Sequence, residues 1–251
     1  VEGRYVYCVA ESNDRINLGG VGIEGSRVYT VPYKDLCAVV HNCPAQPYES
    51  KDKKVVENWV VAHEESIEVA RKRLGTVLPL GFDTIIKADE EDPEEVIRAW
   101  LKEDYQSLTE KLNKVKGKVE YGVQISWEPK IIIRELIEED YELKRLHEEI
   151  NSKPKGTAYM YKQKAERLIR EKLEKEAERY FQEFYEKIKP CTNEVKIEKL
   201  KKEDEPRQML MNLSCLAGED DKILGDELEK INNREGFFVR FTGPWPPYSF
   251  V

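Results

Sequence analysis

The sequence predicts an α+β protein of two domains, the first over residues 1–116 and the second over 117–251. Three observations carry that expectation. The chain has 251 residues, more than one core of ordinary size usually organises. Segments with the two-residue period of strands alternate along it with longer segments of helical period. At Gly117 a helical period gives way abruptly to a strand period, which marks the boundary.

The first domain opens with short strands. Tyr5, Tyr7 and Val9 alternate with Val6, Cys8 and Ala10, so Val1 to Ala10 reads as an opening strand. Gly19, Gly20, Gly22 and Gly25 mark a loop or tight turns. Val28 to Val31 and Leu36 to His41 read as two strands joined by a turn around Pro32. A helix is expected from about Asp52 to Leu74, with Val56, Trp59, Val60, His63, Ile67, Ala70 and Leu74 as its apolar stripe and Gly75 as its stop. Thr76 to Leu80 has the look of a buried strand, and Thr84 to Lys87 of another. The next helix opens on Asp92 as cap, Pro93 at the first helical position and Glu95 in capping-box position. Its stripe, Ile97, Leu101, Tyr105, Leu108, Leu112 and Val115, predicts one helix running to Gly117.

In the second domain Val119, Tyr121, Val123, Ile125 and Trp127 alternate with polar or small residues, a half-buried strand. A helical region comes next, over about 128–189, interrupted near Asn151 to Gly156 by Pro154 and Gly156. Strands are expected at Glu194 to Leu200, Met209 to Leu216 and Phe237 to Phe241, with a helix at about Asp220 to Asn233 before the last. This order is a split β-α-β pattern, a modified ferredoxin-like sheet with inserted helices, covered by helix on one side.

The chain end is the most distinctive stretch. Phe237, Val239 and Phe241 are expected to face the core, Gly243 and Pro244 to stop the strand, and Pro246-Pro247 to stiffen the last few residues. A stiff tail loses little entropy on docking. Trp245, Tyr248 and Phe250 are therefore the candidate site residues, as a structural strap over the protein's own core or as a partner-binding strip.

Charged residues make up 36% of the chain with both signs mixed along helical faces, which reads as solvated surface. The net charge of −8 argues against nucleic acid or anionic membrane as partners, and no local basic patch stands out. The five cysteines include no CxxC pair and suit reduced thiols in a cytosol. Cys37, His41 and Cys43 would share one strand face, but Pro44 closes the strand and a fourth metal ligand is missing. His63 sits on an apolar stripe as a satisfied core histidine, and His147 among surface charges. No nucleophile elbow, P-loop, dinucleotide fingerprint or RNA-binding strand motif is present. The expectation is a protein without catalytic residues, cofactor or metal that works by its surface. A ligand-sensing or enzymatic use of the ferredoxin-like half is the alternative.

The tail Gly243-Pro244-Trp245-Pro246-Pro247-Tyr248-Ser249-Phe250 resembles the C-terminal signature of the gas vesicle protein F/L family. Tyr5-Val6-Tyr7-Cys8-Val9 is similar to that family's opening strand, and Leu36-Cys37-Ala38-Val39-Val40 to its second block, followed by Pro44 and Tyr48. His63, Thr76-Val77-Leu78-Pro79-Leu80 and Gly117-Lys118-Val119-Glu120-Tyr121-Gly122-Val123 also fall in family order. The one departure is Gly81-Phe82-Asp83, where the family shows a basic residue, Phe and Gly. The resemblance implies an accessory or minor structural protein of gas vesicles, found in the cytoplasm and at the vesicle. It implies two α+β domains, and as partners the major hydrophobic shell protein and other gas vesicle proteins, whose assembly it assists.

Overall fold

The computed structural model describes residues 1–89, 91–152, 154–203 and 206–251, with the backbone alone at 155–157. Two compact units emerge, Val1–Glu120 together with Pro244–Val251, and Tyr121–Gly243. The tail thus belongs with the first unit, not with the second domain as the change of period at Gly117 suggests. The reason is local: Pro246, Pro247 and Phe250 are buried, and Tyr248 packs against the core of the first unit.

The first unit comprises β1 (Glu2–Glu11), β2 (Asn17–Gly19), β3 (Val28–Tyr33), β4 (Leu36–Pro44), α1 (Lys53–Leu74), β5 (Val77–Pro79), β6 (Ile85–Lys87), α2 (Pro93–Glu103) and α3 (Tyr105–Val115). Its sheet runs β2-β3-β4-β1-β5, with β6 also on β1, and every pairing within it is antiparallel. α1 packs on β1 and β5, while α2 reaches β1, β3, β4 and β6. Tyr5 through Ala10 are fully buried, so β1 is covered on both faces, which is why it reads as an unbroken apolar run. The simple alternation expected for β1 fails at one point. Val6 faces Val40 and Cys8 faces Val39, leaving Tyr7 as an extra, bulged residue. The bulge brings Tyr5, Tyr7, Cys8 and Ala10 into one cluster with Cys37, Val39 and Ile67.

Asp52 caps α1 by accepting the Lys54 N–H at 2.9 Å, and Gly75 ends it with φ of 86°. The single helix predicted from Pro93 to Gly117 is two helices, broken at Asp104. Lys102-Glu103-Asp104 offers no apolar side chain to hold that turn, and Asp is a weak helix former. Each half keeps its buried stripe, Ile97 and Leu101 in α2, Leu108, Leu112 and Val115 in α3.

The second unit carries β7 (Val119–Trp127) from Tyr121 onward, α4 (Pro129–Glu139), α5 (Tyr141–Ser152), α6 (Lys155–Ile188), β8 (Glu194–Ile197), β9 (Gln208–Ala217), α7 (Lys222–Asn232) and β10 (Phe237–Trp245) as far as Gly243. Strand order is β10-β7-β9-β8. Beside the expected interruption, in which Lys153 lies outside the described residues, the helical region breaks at Asp140. There the carboxylate caps α5 by accepting the Leu143 N–H at 3.0 Å. Trp127, Tyr180, Phe184 and Phe237 form an aromatic cluster, with Phe237 at 4.8 Å from Tyr180 and 5.1 Å from Phe184.

Two expectations about the last strand are corrected. β10 does not stop at Gly243 and Pro244 but runs on to Trp245, because it is an edge strand, where a proline without an N–H is tolerated. Phe241 is 41% exposed rather than core, one ring face stacked on Tyr121 at 5.0 Å.

Candidate interaction surface

The bulge in β1 aims two tyrosine hydroxyls at two buried histidines. Tyr5 Oη lies 2.8 Å from His63 Nδ1, and Tyr7 Oη lies 2.8 Å from His41 Nδ1. His63 Nε2 donates to the Leu80 carbonyl at 3.1 Å, which leaves Nδ1 to accept the Tyr5 hydroxyl hydrogen. Tyr5 Oη in turn accepts the Asp83 N–H at 2.9 Å, and Tyr7 Oη the Ile23 N–H at 3.0 Å. His41 Nε2 meets Tyr48 Oη at 3.0 Å, and the Tyr48 N–H donates to Asp83 Oδ1 at 3.0 Å. The departing Gly81-Phe82-Asp83 stretch is thereby tied into the network through Asp83, whose φ is 68°.

Burial pushes both imidazoles down to about 4 and holds them neutral, and pushes the Tyr7 hydroxyl up to about 12. Both nitrogens of His41 are taken up by tyrosines, and burial pushes the Cys37 thiol up to about 12, away from the thiolate a metal would need. Among the described residues no group of three or more His, Cys, Asp or Glu is placed to hold a metal. The network is a neutral, satisfied scaffold that fixes its surroundings.

The tail is laid over this scaffold. Tyr248 donates its hydroxyl to Glu64 Oε1 at 2.8 Å, and the Glu120 carboxylate accepts both the Ser249 N–H at 2.7 Å and its hydroxyl at 2.6 Å. Phe250 is 3% exposed and Trp245 is 51% exposed. The three predicted residues therefore separate: Tyr248 and Phe250 are pinned, and Trp245 is presented to solvent. Trp245 lines a groove of about 720 Å³, whose walls are Gly20 and Val21 on one side and Ala62 and Val69 of α1 on another. Glu64, Glu65 and Glu68 also line it. A Cβ at Gly22 would stand 2.8 Å from both Ser26 O and Tyr7 Oη, so this wall can be built only with glycine. In the sequence the glycines read as turn signals and the glutamates as solvated surface. Nothing in the pattern links either to the tail at the far end of the chain, and only tertiary structure unites them.

Residues 3–251 match the family described as gas vesicle synthesis protein GvpL/GvpF. The chain belongs to this family. Gas vesicle protein L1 of Halobacterium salinarum is 29% identical over 258 residues, spanning 99% of this chain and 90% of that protein. Gas vesicle protein L of Haloferax mediterranei is 27% identical, spanning 92% and 72%. The crystal structure of GvpF from Anabaena sp. PCC7120 superposes with a TM-score of 0.76 at 21% identity, covering 100% of this chain and 98% of that one. GvpF from Microcystis aeruginosa gives 0.69 at 18%, covering 99% and 98%. At these identities the two crystal structures speak for the fold, which is the α+β architecture of GvpF. Among the described residues of this GvpL/GvpF protein, no helix is long and apolar enough to cross a membrane.

Proposed function

We propose that this GvpL/GvpF protein is a gas vesicle accessory or minor structural protein that binds the hydrophobic shell protein and assists its assembly, in the cytoplasm and at the vesicle. A shell monomer that will face gas carries a large apolar surface, which aggregates unless covered. An acidic partner with a preformed apolar groove keeps the pair dispersed without making or breaking a bond. The observation that carries the reading is Trp245: half exposed, on a tail fixed by Tyr248, Ser249 and Phe250, beside an apolar groove. An aromatic held in place beforehand loses little entropy on binding, the usual property of an interface anchor. The tail then serves as strap and docking strip at once. Co-expression with the shell protein tests the proposal. A soluble complex recovered through a tag on this chain supports it, and a shell protein that stays insoluble and unbound refutes it.

A further inference from the structure

We infer that a second recess in the first unit, on the sheet around Arg4, binds the phosphate group of a small phosphorylated molecule. The recess has a volume of about 490 Å³ and is lined by Arg4, Arg15, Arg27, Asn17, Asn42 and Tyr29, with Ile16 and Glu94. Three guanidinium groups stand against two carboxylates, Glu94 in the lining and Glu2 on Arg4, which leaves one surplus positive charge (3 − 2) in a chain whose net charge is −8. The three arginines come from β1, the loop after β1 and the residue before β3, so no basic run betrays them in the sequence.

Arg4 carries the argument. It is 6% exposed, its Nη1 donates to Glu2 Oε1 at 2.7 Å and to the Gly3 carbonyl at 3.0 Å, and its buried Nε has no hydrogen-bond partner among the described residues. That Nε is closed to solvent, so Arg4 offers the recess its charge and the rest of its guanidinium fork, the side-chain group best matched to an oxyanion. Arg15 is held by Glu94 through both terminal nitrogens, at 2.8 and 2.6 Å, while exposed Arg27 makes no ion pair among the described residues. The asparagine carbonyl oxygens are already used: Asn42 Oδ1 accepts the Tyr29 hydroxyl at 2.7 Å, and Asn17 Oδ1 accepts the Gly19 N–H at 3.1 Å. What the lining has left to offer is donors. The surplus positive charge and these donors suit a phosphate group. Ile16 supplies a less polar wall for the organic part of such a ligand, while the Tyr29 ring already carries the Arg15 guanidinium at 5.1 Å over its face. This site is separate from the Trp245 groove, and neither depends on the other.

Calorimetric titration of the full chain in a chloride buffer of fixed ionic strength, with inorganic phosphate and with AMP as separate probes, tests the inference. AMP is expected to bind and to bind more tightly than phosphate. Arg27→Ala, a surface change, and Arg4→Gln should each weaken AMP by about tenfold or more. Glu94→Gln, which frees Arg15, should tighten it. A thermal melt shows whether Arg4→Gln still folds, and Arg27→Ala carries the test if it does not. No heat from either probe at millimolar concentration, phosphate binding with AMP excluded, or AMP affinity unchanged in Arg27→Ala would each overturn the assignment.

Discussion

Tyr248 donates its hydroxyl hydrogen to the Glu64 carboxylate at 2.8 Å, and the same oxygen lies 3.3 Å from His63 Nε2. One side chain of the tail thus closes onto two residues of α1. Glu64 is partly buried, and burial raises its carboxyl above the usual range, against the lowering effect of the Tyr248 bond. Tyr248→Phe removes that donor and leaves the carboxylate under the ring. It should destabilise the protein by about 1–2 kcal/mol. Urea melts of the two proteins check this, and coincident midpoints would show the bond to be idle.

Phe250→Ala probes the anchor beyond it. A ring that is 3% exposed leaves a cavity when truncated, with an expected loss of about 3–5 kcal/mol. Calorimetric unfolding should show a clearly lowered Tm. A Tm within a degree or two of the parent would mean the tail end is not part of the core.

Acid sensitivity arises from His41 and His63. Each titrates at about 4 in the folded chain against an ordinary 6.5, so below pH 6.5 the unfolded chain binds more protons than the folded one. Stability is therefore flat above that pH and falls as pH drops from 6.5 towards 4, by on the order of 3 kcal/mol per histidine at full effect. Glu64, raised in the folded state, works the other way by taking up a proton more readily when folded. The facing groups Tyr5, Tyr7, Tyr48 and Tyr248 have hydroxyls raised by burial and stay neutral throughout this range. Denaturant midpoints measured across the window should slope upward with pH. A flat profile would contradict the neutral, buried assignment.

Gly22→Ala and Gly81→Ala form a contrasting pair. At Gly22 the new methyl meets Ser26 O and Tyr7 Oη at 2.8 Å, while at Gly81 it meets nothing within 4 Å. The first should cost about 1–3 kcal/mol and disturb the groove wall, the second almost nothing. Equal melting temperatures for both would contradict the packing around Tyr7.

Much of this architecture is legible in the sequence, because hydrophobic period reports which face of an element is covered. The heart of the α1 stripe, His63, Ile67 and Ala70, is read correctly for that reason, although Val60 is exposed, and the Asp92-Pro93 helix start follows from its capping residues. β7 is a strand as expected but is not half-buried, since Glu120 and Ser126 on its other face are covered too. The failures are places where tertiary contact overrides local signal. Nothing around Tyr7 marks it as a bulge, since both faces of β1 are apolar and period is silent there. Asp104 breaks a helix without glycine or proline, and β10 continues through both. At the candidate surface, the aromatic tail is visible in the sequence but its partition is not. Which of Trp245, Tyr248 and Phe250 turns outward depends on Glu64 and Glu120, far away in the chain.

The central claim is that a fixed tail presents Trp245 to an apolar partner, and Trp245→Ala measures it most directly. With half its surface already in solvent, its truncation should lower unfolding free energy by less than about 1 kcal/mol. Affinity for the shell protein, measured by pull-down with solubilised client, should fall about tenfold or more. A variant that melts like the parent and still captures shell protein with undiminished affinity would contradict the account.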